Sequence, residues 1–376
     1  MKSDQIIVGI NSTGYNERRN IIVPKPDNVE IKKMLDLMKL LDFAYFKIFK
    51  KNHLFLHNVY CDLGLKKADV FHFYNAVSTG KRPWFVTYEN DVPRHNPDSR
   101  YLLKKLVGSS CKQIISMTKN AYNIESHYLD RHPDLKEKIL NKIIILPPPQ
   151  ELYVDKKKEI QNQKINFTFV GGTFFHKGGK ELLLAFIKLL NEFKNVHLNI
   201  VSAFAFTKWY DTEYTLKDVH EMKTLISQFP DSISHFDSLP NEAIIELFKN
   251  SHVGLLPSYG ETYGYAVLEA QACGCPVITT NAWAFSEFNG NESGWLLDLP
   301  TIIERGGLKF DVSDFEKKKK FSAILEQRLF ETMVEICTNP AIIEKKSSVA
   351  IQNIREKHSV LNHRATLSKL YQDAMR

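Results

Sequence analysis

Short runs of consecutive apolar residues recur along the chain, separated by segments whose apolar positions repeat at helical spacing. In the first half the runs predict strands at Ile6–Ile10, Leu54–Val59, Val70–Phe73, Phe85–Tyr88, Gln113–Met117 and Ile143–Leu146. The second half restarts with "INFTFVGG", followed by a helix over Gly179–Lys194 and the strand "VHLNIVSA". "ISHFDSLP", "VGLLPS", "CPVITT" and "GWLLD" follow as short buried strands, with helical stretches such as Asn241–Lys249 between them. Strands alternating with helices in this way predict βαβ units, hence an α/β fold with parallel sheets. Between the halves lies "LPPPQELYVDKKKEIQNQK", where prolines that cannot continue a ladder precede a polar run without periodicity. The expected organisation is a domain over 1–150, a linker over 151–163 and a second domain over 164–315. Helices over 316–376 follow, expected to cross back to the first domain. Both domains are expected to be doubly wound and Rossmann-like and to face a cleft. Ligands of such sheets sit at the carboxyl ends of strands.

"VEIKKMLDLMKLLDFAYFKIFKKNHLF", starting at Val29, carries a broad apolar stripe at helical spacing, with lysines elsewhere. A basic amphipathic helix of this kind can lie on an anionic membrane surface. A doubly wound domain also needs such helices, so the expectation is that the stripe packs on the first sheet and the lysines face water.

The 376 residues suffice for a large core, most naturally in two domains. No stretch approaches the roughly 20 apolar residues of a membrane helix, and "MKSDQIIVGINSTGYNE" lacks a signal-peptide cleavage pattern. The five cysteines are scattered and form no zinc-type pairs. A reducing, cytoplasmic setting fits this usage. A net charge of +7 points to an anionic partner. No zinc-finger or RNP motif accompanies it, which argues against nucleic acid. The lysines at 317–320 in "EKKKKF" read as a solvated helix face.

The stretch "PSYGETYGYAVLEAQACGCPVITT" carries the sharpest chemical signal. The helix it contains starts near Gly264–Tyr265, runs to Cys273 and stops at Gly274. Its N-terminus offers free N–H groups and partial positive charge, which suit a phosphate. Gly264 lets a ligand approach the backbone closely. Glu269, one turn into the helix, stands where a carboxylate accepts hydrogen bonds from two vicinal hydroxyls, as on a ribose. Glu261, on the loop before the helix, would face the group at the far end of a bound diphosphate. Glutamate is also a good helix former, but "YAVLEAQAC" reads as buried, where an unpaired carboxylate is costly.

A second phosphate-handling element is "FVGGTFFHKGGKELLLAF", a strand, a glycine pair, and Lys177-Gly178-Gly179 entering a helix. It is neither a Walker A loop nor GxGxxG. A lysine there would neutralise charge that builds on a diphosphate leaving group.

These two elements, with "LPNEAIIELFKNSHVGLL" before the second and "SEFNGNESGWLLD" after it, resemble glycosyltransferase family 4, retaining enzymes of the GT-B fold. The likeness runs in order and spacing from Ile165 to Asp298. "KADVFHFYNA", "PWFVTYEND", "SCKQIISMTKNAYN" and "NKIIILPPP" follow the family's first domain more loosely. The resemblance implies transfer of a sugar, of hexosyltransferase type, from a nucleotide diphosphate to an acceptor with retention of anomeric configuration. It implies Glu261 on the donor sugar, Glu269 on the ribose, and Lys177 with the amides near Thr262, Gly264 and Tyr265 on the diphosphate. Gly171 and Gly172 would permit close approach, and the loop at Asp237–Leu239 would border the base. No metal or other cofactor is expected.

Two places depart from the family pattern. An arginine that commonly follows the first glycine of "VG" is replaced by Gly172, leaving Lys177, His176, Lys180 or Arg94 to supply the charge. Where relatives carry a histidine after "VT", this chain reads Tyr88-Glu89. Glu89, Asp91, Arg94 and His95 are therefore candidates to touch an acceptor or donor sugar, with Gly14 of a reduced first glycine loop. The basic surface and exposed-looking aromatics suit a glycan or lipid-diphosphate-linked acceptor, as in bacterial O-antigen or capsule assembly, at the inner face of the cytoplasmic membrane. Two other readings stay open: a sugar-nucleotide epimerase of similar architecture, and a non-catalytic nucleotide-binding relative.

Overall fold

The computed structural model describes residues 5–61, 68–94, 99–156, 164–205, 214–299, 303–304, 307–308 and 315–376. The chain divides into two compact units, Met1–Pro149 with His358–Arg376, and Gln150–Lys357.

The first unit is built on a six-stranded sheet, ordered Val29–Lys33, Ile6–Ile10, Val70–Tyr74, Trp84–Tyr88, Cys111–Ser116, Ile143–Ile145. All its pairings are parallel. The central strands "VFHFY" and "WFVTY" are buried at every position, as parallel strands covered on both faces must be. The last helix of the chain, Val360–Ala374, belongs to this unit. Its Leu367 and Tyr371 join a core with Ile6, Val8, Val70, Phe85 and Ile115. The Tyr371 hydroxyl lies 2.7 Å from Nδ1 of His72, a fully buried histidine on the central strand Val70–Tyr74.

Two expectations are corrected here. Leu54–Asn58 is a helix, and of the expected strand only Val59 is extended, as the start of the short strand Val59–Tyr60. The segment from Val29 is not one long helix. "VEIKK" pairs with Ile6–Ile10 as an edge strand, and the helix begins at Leu37, capped by Asp36, which accepts from the amides of Met38 and Lys39 at 3.1 and 3.2 Å. That helix, Leu37–Phe49, also faces the opposite way from the one expected. Asp42 is its buried residue, while Leu40, Leu41, Phe43, Phe46, Ile48 and Phe49 are exposed. Asp42 is held inward because it accepts from the His53 amide at 2.7 Å and pairs with Nδ1 of His57 at 2.9 Å.

The second unit has a six-stranded parallel sheet ordered Ile233–Phe236, Val196–Val201, Ile165–Val170, Val253–Leu256, Val277–Thr280, Trp295–Leu297. Numbered within the unit this is 3-2-1-4-5-6, the Rossmann order. Phe167, Phe169, Phe174, Phe186 and Phe204 fill its core. The Gly179–Glu192 helix packs through Leu182 and Leu189 into the core that Leu325, Leu329 and Met333 of the Phe315–Thr338 helix complete. The strand order reverses between Ile165–Val170 and Val253–Leu256. The loops that follow these two strands therefore diverge and leave a crevice at their carboxyl ends.

Candidate active site

The first of those loops runs from Gly171 to Gly178. It coils back on itself, with amides of Lys177, Gly178 and Gly179 bonded to the carbonyls of Thr173, Phe175 and Phe174. Gly178 has φ +73°, and a Cβ there would overlap the carbonyl oxygen of Pro257 in the second loop. Only glycine allows the two loops to touch at this point. The second loop, Pro257 to Gly264, is tied to the first by the Tyr259 amide donating to the His176 carbonyl at 3.0 Å. Thr280 anchors it from the next strand, its hydroxyl donating to the Ser258 carbonyl at 2.7 Å. Gly264 (φ +87°) opens the helix Tyr265–Ala272, and its missing Cβ makes room for the Phe285 ring.

This backbone brings the N-termini of two helices, Gly179–Glu192 and Tyr265–Ala272, to adjacent strand ends. Each brings the partial positive charge of a helix N-terminus to the crevice. Between them Lys177 Nζ donates to Glu261 Oε2, with both side chains mostly buried. Glu269 is 5 % exposed, and its Oε1 accepts from Nδ2 of Asn241, the first residue of the preceding helix Asn241–Asn250, at 3.3 Å. Gly171 is crowded by Lys177 and Phe169, whereas a side chain at Gly172 would meet nothing within 4 Å. Thr262 and Tyr265 are half-buried, and so is Leu239, in the loop after Ile233–Phe236.

The structure separates the four cations considered as substitutes for an arginine at 172. Burial, with Lys177 and Lys318 nearby, pushes His176 down to about 3, so it is neutral near pH 7 and supplies no charge. Lys180 lies over the Tyr214 ring, 5.4 Å from its centroid. Arg94 donates to Glu89 in the first unit. Lys177 is the one set between the two loops. A further cation was not legible as such in the sequence: Lys318, from the run read as a solvated face, lies over the rings of Tyr214 and Tyr259 at 5.2 and 5.6 Å. Asn241 likewise carried no signal beyond starting a helix.

Beneath the crevice, Glu181 is fully buried in the first turn of its helix. Its Oε1 accepts from the Tyr259 hydroxyl at 2.8 Å and from Ser322 at 2.5 Å, and burial raises its pKa. This bond set braces the second loop against the Phe315–Thr338 helix.

The acceptor-side candidates lie in the first unit. Glu89 is buried, accepting from Tyr74 at 2.9 Å and from Arg94, with Asn75 3.5 Å away. Asp91 is also buried and accepts from Asn90 at 3.0 Å. Gly14 precedes the short Tyr15–Glu17 helix at the carboxyl end of Ile6–Ile10, close to Glu17. His95 lies outside the described residues.

Residues 153–304 match the family described as glycosyl transferases group 1. D-inositol 3-phosphate glycosyltransferase of Arthrobacter sp. is 25 % identical over 242 residues, 60 % of this chain and 52 % of that protein. The chain thus spans about half the length of that curated relative. Capsular polysaccharide biosynthesis glycosyltransferase CapM of Staphylococcus aureus is 26 % identical over 165 residues, 43 % of this chain and 39 % of CapM. Among solved structures, a glycosyltransferase of Rickettsia africae superposes with a TM-score of 0.60 at 14 % identity, covering 100 % of this chain and 99 % of that one. Anabaena HepE in complex with UDP and glucose superposes with a TM-score of 0.59 at 11 % identity, covering 98 % of this chain and 100 % of HepE. At such identities the structural likenesses establish the fold. The fold is GT-B, and within its second unit residues 153–304 are similar to the glycosyl transferases group 1.

Proposed function

We propose that the protein transfers a sugar from a nucleotide-diphosphate donor to a glycan or lipid-linked saccharide acceptor, with retention at the anomeric carbon. The observation that carries this reading is the Lys177–Glu261 pair between two helix N-termini, with buried Glu269 one turn along. The helix amides and Lys177 would hold the diphosphate, Glu269 the ribose hydroxyls and Glu261 the hydroxyls of the donor sugar. In the reaction the bond from the anomeric carbon to the diphosphate oxygen breaks, and the acceptor oxygen bonds to that carbon on the same face. The acceptor proton passes to the departing phosphate oxygen. Charge on the leaving group is met by preorganised donors, so this scheme uses no metal.

Supporting the donor class, HepE was solved with UDP and glucose. Supporting a role in surface polysaccharide assembly, CapM is named for capsular polysaccharide biosynthesis. In that role the chain would work on the cytoplasmic side, with a lipid-linked acceptor bringing it to an anionic membrane face.

The test is a thermal-shift screen of uridine, guanosine, adenosine and thymidine diphosphates, followed by release of the nucleotide from its sugar forms. One diphosphate is expected to raise Tm in proportion to saturation. Failure of all four to shift Tm or to be released would remove the transferase reading.

A further inference from the structure

The Leu37–Phe49 helix of the first unit is amphipathic in the reverse of the usual sense: its carboxylate points in and its large apolar side chains point out. Met38 and Asp42 face the unit's interior, and Asp42 is fixed there by the His53 amide and the His57 ring. On the outer side Leu40, Leu41, Phe43, Phe46 and Ile48 stand in water, with Phe43 58 % and Ile48 73 % exposed. Clustered large apolar side chains at this exposure mark an interaction surface.

Charge says what covers it. Lys33, Lys47, Lys50 and Lys51 are exposed around the same helix. Between Ile31 and Asn58 the only acidic residues are Asp36 and Asp42, and both are buried. The Lys47 ammonium lies 4.8 Å from the centre of the Phe43 ring, so its stem covers apolar surface while its charge stays at the rim. A second copy of this chain is a poor occupant, because a two-fold contact would set these lysines against themselves. A bilayer interface with anionic headgroups satisfies both features, apolar insertion and positive charge. Among the described residues no helix is long and apolar enough to cross a membrane. The contact is therefore one of lying in the interface.

We propose that the Leu37–Phe49 helix is an interfacial docking element that inserts its outward apolar face among the headgroups of an anionic membrane. Its 13 residues give a contact about 20 Å long at about 1.5 Å per residue. The inference deepens the transferase reading by naming the element that would bring the chain to a lipid-linked acceptor.

The test is flotation of the full chain with vesicles of phosphatidylcholine alone and of an equimolar mixture with phosphatidylglycerol, at low and high salt. Wild type is expected to float with the mixed vesicles and to be released by salt. Combining Leu40→Ser, Phe43→Ser and Ile48→Ser is expected to lower partitioning at least about tenfold, given about 0.8 kcal/mol per inserted CH₂. Its Tm should not fall, because the exchanged side chains are exposed. Lys47→Gln with Lys51→Gln is expected to cost about fivefold per lysine. Wild type remaining at the bottom of the gradient with both vesicles would overturn the proposal, as would the serine variant floating like wild type. A dimer in sedimentation that only the serine variant dissociates, without flotation, would assign the face to a second copy instead. The assay needs no turnover, so its outcome is independent of whether sugar transfer is detected.

Discussion

Lys177 and Glu261, 84 residues apart in the chain, form an ion pair that bridges the loops following two adjacent parallel strands. The pair sets the ammonium at the crevice between two helix N-termini, the place where a diphosphate is held in this proposal. Lys177→Ala is expected to lower turnover ~100-fold or more, the usual scale for removing a stabiliser of developing charge. Donor KM should change much less than kcat, since the interaction strengthens as the bond breaks. Glu261→Gln should also lower turnover, and the double variant should lose less than the product of the two effects, because the side chains share one contact. Steady-state kinetics with each donor sugar checks this. A Lys177→Ala enzyme with near-wild-type kcat would remove the assigned role.

Glu269 and Asn241 make a separable prediction. Glu269 sits buried one turn into its helix with Asn241 at 3.3 Å, an arrangement that leaves carboxylate oxygen capacity for hydroxyl donors. Glu269→Ala should weaken nucleoside diphosphate binding by about tenfold to a hundredfold, equivalent to roughly 1.5–3 kcal/mol for a charge-assisted hydrogen bond. The loss should shrink for a 2′-deoxyribose nucleotide, which has already given up one of the two hydroxyls. Titration calorimetry of both nucleotides against both proteins measures the difference. Equal losses for the two nucleotides would place Glu269 away from the ribose.

Most of the sheet strands, and the loop and helix that carry Glu261 and Glu269, were legible because local pattern decides them. "VFHFY" and "WFVTY" are apolar throughout, and Gly264 and Gly274 bracket a helix whose two ends take positive φ. The orientation of Leu37–Phe49 was not legible, since its apolar stripe fits either side of the helix. What decides it is Asp42 bonding to His53 and His57, residues 11 and 15 positions further on. "VEIKK" was absorbed into the neighbouring helix because its two lysines hide a strand that is buried on one side only at Val29. Lys318 reached the crevice loop by tertiary packing of the Phe315–Thr338 helix, which no local pattern reports.

Two neighbouring glycines should respond in opposite ways. Gly178→Ala combines a positive φ with overlap on the Pro257 carbonyl, so the loops must separate. A loss of about 1–3 kcal/mol in stability is expected, together with reduced activity as the Lys177–Glu261 pair is pulled apart. Gly172→Ala meets open space and its backbone lies outside the left-handed region, so stability should hold within about 0.5 kcal/mol. Gly172→Arg should fold equally well and tighten diphosphate binding, restoring the charge expected from the family resemblance. Chemical denaturation and calorimetry of the three variants test this. An unstable Gly172→Ala, or a Gly178→Ala as stable as wild type, would contradict the loop geometry.

Stability should peak near pH 6.5. Burial lowers His72 and His176 to about 3 and His363 to about 4, each from an ordinary 6.5. As pH falls below 6.5 the unfolded chain takes up protons at these sites that the folded chain refuses, so stability falls with it. Glu125 behaves oppositely. Burial, with Asp91 nearby, raises it from 4.5 to about 8, although the Val92 amide donates to its Oε2 at 3.0 Å. Between pH 4.5 and 8 the folded state keeps a proton the unfolded state has lost, so stability falls as pH rises; Glu181, also raised by burial, adds to the trend. Below pH 6.5 these histidines, joined by His197, which burial also lowers, outweigh the two carboxyls, and between pH 6.5 and 8 the carboxyls set the slope. Thermal unfolding at pH 5, 6.5 and 8.5 should give the highest Tm at the middle value. Glu125→Gln keeps an acceptor for the Val92 amide and cannot ionise. It should recover about 2 kcal/mol at pH 8.5 relative to wild type, at about 1.4 kcal/mol per pH unit over the window from 6.5 to 8. A wild-type Tm that keeps rising from pH 6.5 to 8.5, or a Glu125→Gln variant with the same alkaline decline, would show that Glu125 is ionised in the folded state.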